Sequence, residues 1–132
     1  MKYLLDSNIC IAFFKNHLAV VEKIRIVGLE NLLLCSPVKA ELWYGACKSG
    51  RVMANQLVLK AFFAQFSSLA FDDAVIEKYG EIRAVLAKSG QLIGANDLLI
   101  AAIAATYQVT LVSHNVKEFE RVPDLSLEDW LV

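Results

Sequence analysis

The chain is poor in the residues that staple small proteins or build soft metal sites. Its three cysteines, Cys10, Cys35 and Cys47, are an odd number with no CxxC pair, each among apolar neighbours. That excludes a disulfide framework and reads as three small buried residues in a reducing cytoplasm. The two histidines, His17 and His114, stand far apart and read as exposed loop or cap residues. Charge of one sign is missing too: 13 basic against 14 acidic residues give a net charge of -1, so a nucleic-acid partner has to be met by a local patch or by bound cations. There is no internal repeat, low-complexity segment or linker, and residues 1–132 read as a single domain. The start, MKYLLD, lacks the basic opening, long apolar core and small-residue cleavage site of a signal peptide, so no export is expected.

What the chain has in excess is apolar surface, with 57% hydrophobic and 20% charged residues. This argues against disorder and suggests a buried homodimer interface, with the Phe62, Phe63, Phe66 stripe or the face near Trp43 and Tyr44 as the contact. The stretch Leu92 to Val112 is long enough to span a membrane. Asn96, Asp97 and Gln108 within it, and the β-branched VTLV at its end, divide it instead into a helix and a strand, and no membrane is expected.

Short apolar runs at Lys2 to Leu5, Leu32 to Cys35 and Thr110 to Val112 read as buried strands, and Leu125 to Leu127 as a terminal one. Between them lie helical patterns. One begins near Ile9, capped from Asp6, Ser7 and Asn8; one runs from about His17 to Val27; one opens at Ser36 and Pro37 and stops near Gly50. Another runs through Arg51 to Ser68, a fifth carries Val75, Tyr79, Ile82 and Leu86, and Ala95 to Tyr107 is apolar nearly all round. A single helical turn follows at Val116 to Phe119. Strands alternating with helices predict an α/β three-layer sandwich around a central, mainly parallel twisted sheet.

Three acids sit where the chain is otherwise most apolar: Asp6 ending MKYLLD, Glu41 inside SPVKAELWYG, and Asp97 inside LIGANDLLIAAIAA. Burying a carboxylate without compensation costs several kcal/mol, so such residues call for a metal, a partner or a raised pKa. Asp6 and the Ser113 to Asn115 loop each follow a strand, and Glu41 and Asp97 each lie near a helix start, so all can meet at the carboxyl edge of the sheet. Oxygen donors without histidine or cysteine suit Mg²⁺ or Mn²⁺ rather than zinc, and that chemistry is phosphodiester hydrolysis. Taken singly, each residue also fits a plainer role: an Asx turn at Asp6, a solvated helix residue at Glu41, a first-turn acid at Asp97, an N-cap at Asn115.

The segments MKYLLDSNICIAFF, SPVKAELWYGACKS, IGANDLLIAAIAA and TLVSHNVKEFERVPDLSLEDW, in this order over nearly the whole chain, resemble the PIN-domain family, and within it the VapC-type ribonuclease toxins. The resemblance implies the toxin component of a type II toxin–antitoxin system, a Mg²⁺-dependent endoribonuclease (Mn²⁺ the alternative) cutting RNA such as transfer RNA within a loop, and a cognate VapB-like antitoxin that occupies the active site. Carried over by position, it makes Asp6 and Asp97 metal ligands, Glu41 a ligand or an orienter of the attacking water, and Asn115 a polar holder where the wider family commonly has Asp. Ser113 assists, and Glu118 or Glu120 can supply the charge Asn115 lacks. Lys15, Lys39, Lys48, Arg51, Arg83, Lys88 and Lys117 are candidates for gripping phosphates. Two other readings compete. A haloacid-dehalogenase-type phosphatase would use Asp6 as nucleophile, but Asn8 stands where its second Asp belongs and no threonine follows. A non-catalytic PIN-fold binding module would account for the neutral Asn115.

Overall fold

A computed structural model describes residues 1–132. Three central strands are wholly or nearly wholly buried: β1 (Tyr3–Leu5), β2 (Leu32–Cys35) and β4 (Thr110–Val112). Their continuous apolar sequences are what a strand covered on both faces requires. Two strands close the edges, β3 (Ser67–Leu69) and β5 (Leu127–Glu128), and the order is β3-β2-β1-β4-β5 with every pairing parallel.

The helices are α1 (Ser7–Phe14), α2 (Leu18–Val27), α3 (Ser36–Cys47), α4 (Val52–Phe63), α5 (Ile76–Lys88), α6 (Ala95–Tyr107) and the single turn α7 (Val116–Phe119). From β1 the chain steps through β2 to β3, then returns across the sheet to β4 and β5. Right-handed crossovers therefore put α1 to α4 on one face and α5 to α7 on the other. The direction of travel reverses between β1 and β4, and in open parallel sheets the crevice beyond such a reversal is where ligands bind.

Small residues let α6 sit close to the sheet: Leu98 and Ile100 to Ala104 are buried. On the opposite side Phe62 is the centre of an aromatic cluster, its ring centroid 4.7 Å from those of Phe14 and Phe66 and 5.7 Å from Phe13. The Phe62, Phe63, Phe66 stripe thus faces inward, and the large apolar residues that α4 leaves exposed are Met53, Leu57 and Val58.

Several expectations are corrected. Helix α1 begins at Ser7, two residues early, because Asp6 takes the N-cap position and accepts from the Ser7 amide. Cys35 rather than Ser36 is the N-cap of α3, and the Ser36 hydroxyl instead accepts from the Phe71 amide at 3.3 Å. That helix ends at Cys47, short of Gly50. The stretch from Arg51 to Ser68 is not one helix, since its end forms β3, whose serines pair with β2 while facing solvent. The terminal strand lies at Leu127–Glu128 rather than Leu125 to Leu127. Cys10 and Cys35 are buried, but Cys47, in the last turn of α3, is exposed. No helix is long and apolar enough to cross a membrane.

Candidate active site

The register of β1 against β4 pairs Leu5 with Val112, so the next residues, Asp6 and Ser113, leave the sheet side by side. The Asp6 amide donates to the Val112 carbonyl at 2.9 Å. The Ser113 hydroxyl donates to Asp6 Oδ2 at 2.7 Å, and the Ser7 amide to Asp6 Oδ1 at 2.8 Å. Asp6 is only 3% exposed, so its carboxylate is held by the protein rather than by water. Burial pushes its pKa up, and the two hydrogen bonds pull it part of the way back. Removing the stronger support, Ser113→Ala, is expected to cost about 1–2 kcal/mol in denaturant unfolding, because the Asp6 oxygen is left buried without its partner.

Helix α3 starts where β2 ends and α6 starts where the chain returns to the sheet, so Glu41 and Asp97 reach the same edge. A polar cavity of about 420 Å³ there is lined by Asp6, Ser7, Asn8, Glu41, Asp97, His114 and Asn115, without a single apolar residue. All four sequence candidates are brought together in it. Desolvation raises the Glu41 pKa, and the negative charge of Asp6 adds to the rise. Asp97 is raised to about 7, first by desolvation, then by a hydrogen bond shared with Glu118 and by the charges of Asp6, Glu118 and Glu41. The N-terminus of α6 favours the Asp97 anion, but burial beside three other acids outweighs that.

Asn115 occupies the N-cap position of α7, yet its side chain makes no cap. Its amide nitrogen donates instead to Asp97 Oδ2 at 3.0 Å and to Glu118. Glu118 is lowered, by its hydrogen bonds with Asp97 and then Asn115, in the direction opposite to Asp97. In the present arrangement no three histidine, cysteine or acidic side chains meet closely enough to enclose an ion. Asp97 is turned toward Asn115 and Glu118, and Asp6 toward Ser113.

Of Glu118 and Glu120, the two acids expected to supply the charge Asn115 lacks, one turn of α7 brings Glu118 onto Asp97. Sequence reasoning passed over Asn8 as a cap. Asn8 Nδ2 lies 3.4 Å from the Ser113 hydroxyl and its Oδ1 accepts from the His114 amide at 3.1 Å, tying the two loops that carry Asp6 and Asn115. Asn96 is a further neighbour: its buried side-chain nitrogen lacks a hydrogen-bond partner, and the side chain lies toward Glu41.

A second cavity of about 610 Å³ opens beside the first and shares Ser7 and Glu41 with it. Its walls are mostly apolar and include Ile11, Phe14, Leu42, Tyr44, Val58 and Leu59, with Lys48 at its margin. Of the basic candidates, Lys48 lies over the Tyr44 ring and Lys39 over the Phe63 ring, while Arg83 donates to the Tyr79 hydroxyl.

The family model for the PIN domain matches residues 3–125. Ribonuclease VapC2 of Rickettsia felis is 39% identical over 132 residues, covering 98% of both chains. The tRNA(fMet)-specific endonuclease VapC of Shigella flexneri is 37% identical over 130 residues, again covering 98% of both. Among solved structures, VapBC2 from Rickettsia felis bound to a DNA fragment from its promoter is similar at a TM-score of 0.91 and 38% identity, covering 98% of this chain and 99% of that one. DNA-bound VapBC from Salmonella typhimurium is similar at a TM-score of 0.92 and 34% identity, covering 98% of each.

Proposed function

The chain belongs to the PIN domain family, and we propose that it is a divalent-metal-dependent endoribonuclease, the toxin of a toxin–antitoxin pair. The observation that carries this reading is the convergence of Asp6, Glu41 and Asp97, from three separate elements, in one cavity without apolar walls, each with its pKa raised. Such a set is poor as a structural feature, and its donor chemistry, rather than its present spacing, suits a cation. The donors are all oxygen, as Mg²⁺ requires. When bound, Mg²⁺ offsets the acids and supplies a nucleophilic water and a charge sink for attack at phosphorus.

The chain's own residues do the rest. Asp6 and Asp97 are the proposed ligands, and Glu41, lining the same cavity, would be a further ligand or orient the attacking water. Ser113 fixes Asp6, and Asn115 with Glu118 fixes Asp97. Glu118 therefore brings a carboxylate to the place where Asn115 is neutral. The names and structures of the relatives support a finer reading: transfer RNA as substrate, cut in a loop, and a VapB-like antitoxin as partner. The apolar cavity that shares Glu41 suits an amphipathic antitoxin segment whose basic side chain reaches the acids.

The test is induced expression of wild type beside Asp6→Asn, with new RNA 5′ ends mapped. Discrete cuts in the wild type alone are expected; cuts of equal strength in both would sink the assignment of Asp6. No new ends in either, with both folded, would favour the non-catalytic module. A homodimer is expected from the apolar residues left exposed on α4 and α5, Met53, Leu57, Ile76 and Val85. Light scattering that finds a monomer at high concentration would remove it.

A further inference from the structure

One group at the site has no part in the reaction as described above. His114 lines the acidic cavity, and its imidazole is held from behind. Its Nδ1 lies 2.9 Å from Asp129 Oδ2, and the Asp129 side chain is 12% exposed against 57% for His114. Asp129 is itself anchored, its Oδ1 accepting from the Leu131 amide at 2.9 Å. The strand before it is pinned to the site, since the Ser113 amide donates to the Glu128 carbonyl at 2.9 Å. The His114 amide in turn donates to Asn8 Oδ1. Backbone and ring are therefore both fixed, and Nε2 is left without a partner in the chain.

What Nε2 can take up from a substrate follows from donor and acceptor chemistry. An ionised carboxylate only accepts, so Nδ1 donates to Asp129, and the tautomer this contact selects has its lone pair on Nε2. A fixed acceptor in that tautomer, at the rim of a phosphodiester site, pairs with a donor. Phosphate and sugar-ring oxygens only accept. The 2′-hydroxyl is the one donor that every ribonucleotide backbone unit presents whatever its base, and DNA lacks it.

We propose that His114 Nε2, oriented by Asp129, accepts a hydrogen bond from the ribose 2′-hydroxyl of a nucleotide beside the scissile phosphate. His114 is then a residue that selects RNA over DNA, and Asp129 is its positioning residue. The proposal rests on the nuclease reading and names a specificity determinant within that same site.

Fluorescence anisotropy in Ca²⁺ buffer tests it, with a labelled hairpin made either entirely of ribonucleotides or with 2′-deoxy loop nucleotides. Wild type is expected to bind the all-ribo hairpin about three- to tenfold more tightly, the worth of one neutral hydrogen bond. His114→Ala should bring the all-ribo affinity down to the deoxy value and leave the deoxy affinity unchanged. Asp129→Asn, which frees the ring, should fall between. Equal weakening of both hairpins by His114→Ala, or no change in either, would overturn the proposal, because a phosphate contact or a disturbed loop cannot tell the two sugars apart. Cleavage of the all-ribo hairpin in Mg²⁺ separates the two readings. Cutting with a ratio that ignores His114 leaves the nuclease standing and ends this inference; a His114-dependent ratio without cutting does the reverse.

Discussion

Asp97→Asn is expected to lower RNA cleavage at least about a hundredfold, since even outer-shell partners of metal ligands cost about 10- to 100-fold when removed. The same substitution should make the metal-free protein more stable at neutral pH. Asp97 has a folded-state pKa of about 7 against an ordinary value of 3.8. Between those values the folded chain holds a proton that the unfolded chain has released, so stability falls as pH rises from about 4 to about 7. Asparagine removes that loss. Because Asp97 is only half buried, solvent screening reduces the gain to about 1–2 kcal/mol, or about 5 °C in Tm. Thermal unfolding of both proteins at acidic and at slightly alkaline pH reads it. A residue kept for structure would show the opposite pairing, with stability and activity lost together, and that result would count against the assignment.

The second large effect is on metal affinity. A cation that takes Asp97 as ligand has to displace its proton, so affinity rises with pH until Asp97 is ionised. Calorimetric titration with Mn²⁺ is expected to show Kd falling by about tenfold per pH unit below pH 7 and levelling off above it, with about one proton released per ion at the acidic end. Stripping the metal with a chelator should restore the decline in stability with pH described for the free protein. An affinity that does not change across this range would mean that Asp97 is not a ligand.

The parts of this site that were legible in the sequence share one property: each carries its signal locally. Asp6, Glu41 and Asp97 stand out because a carboxylate within an apolar run conflicts with its surroundings, and β1, β2 and β4 because strands buried on both faces are apolar throughout. The bounds of α6 were readable for a similar reason. What escaped depends on partners distant in the chain. β3 has two exposed serines and no alternation, and it is a strand only because β2 offers it an edge. The choice of Glu118 over Glu120 is not written locally, and is made only when α7 turns Glu118 onto Asp97. The pairing of His114 with Asp129 exists because β5 lies parallel to β4, a register that composition does not encode. Cys47 was misjudged because apolar neighbours in sequence do not decide which side of a helix end meets water.

The bond from Ser113 to Asp6 joins residues 107 positions apart. Strand β4 has to slot in beside β1, the first strand made, after β2 and β3 have been synthesised. Pairings of such long sequence separation form late, once the entropy of closing the intervening loop has been overcome. On the ribosome, then, no chain shorter than 115 residues can carry an assembled catalytic cluster. Every unfinished copy therefore lacks the assembled acidic cluster, and only a nearly completed chain can carry it.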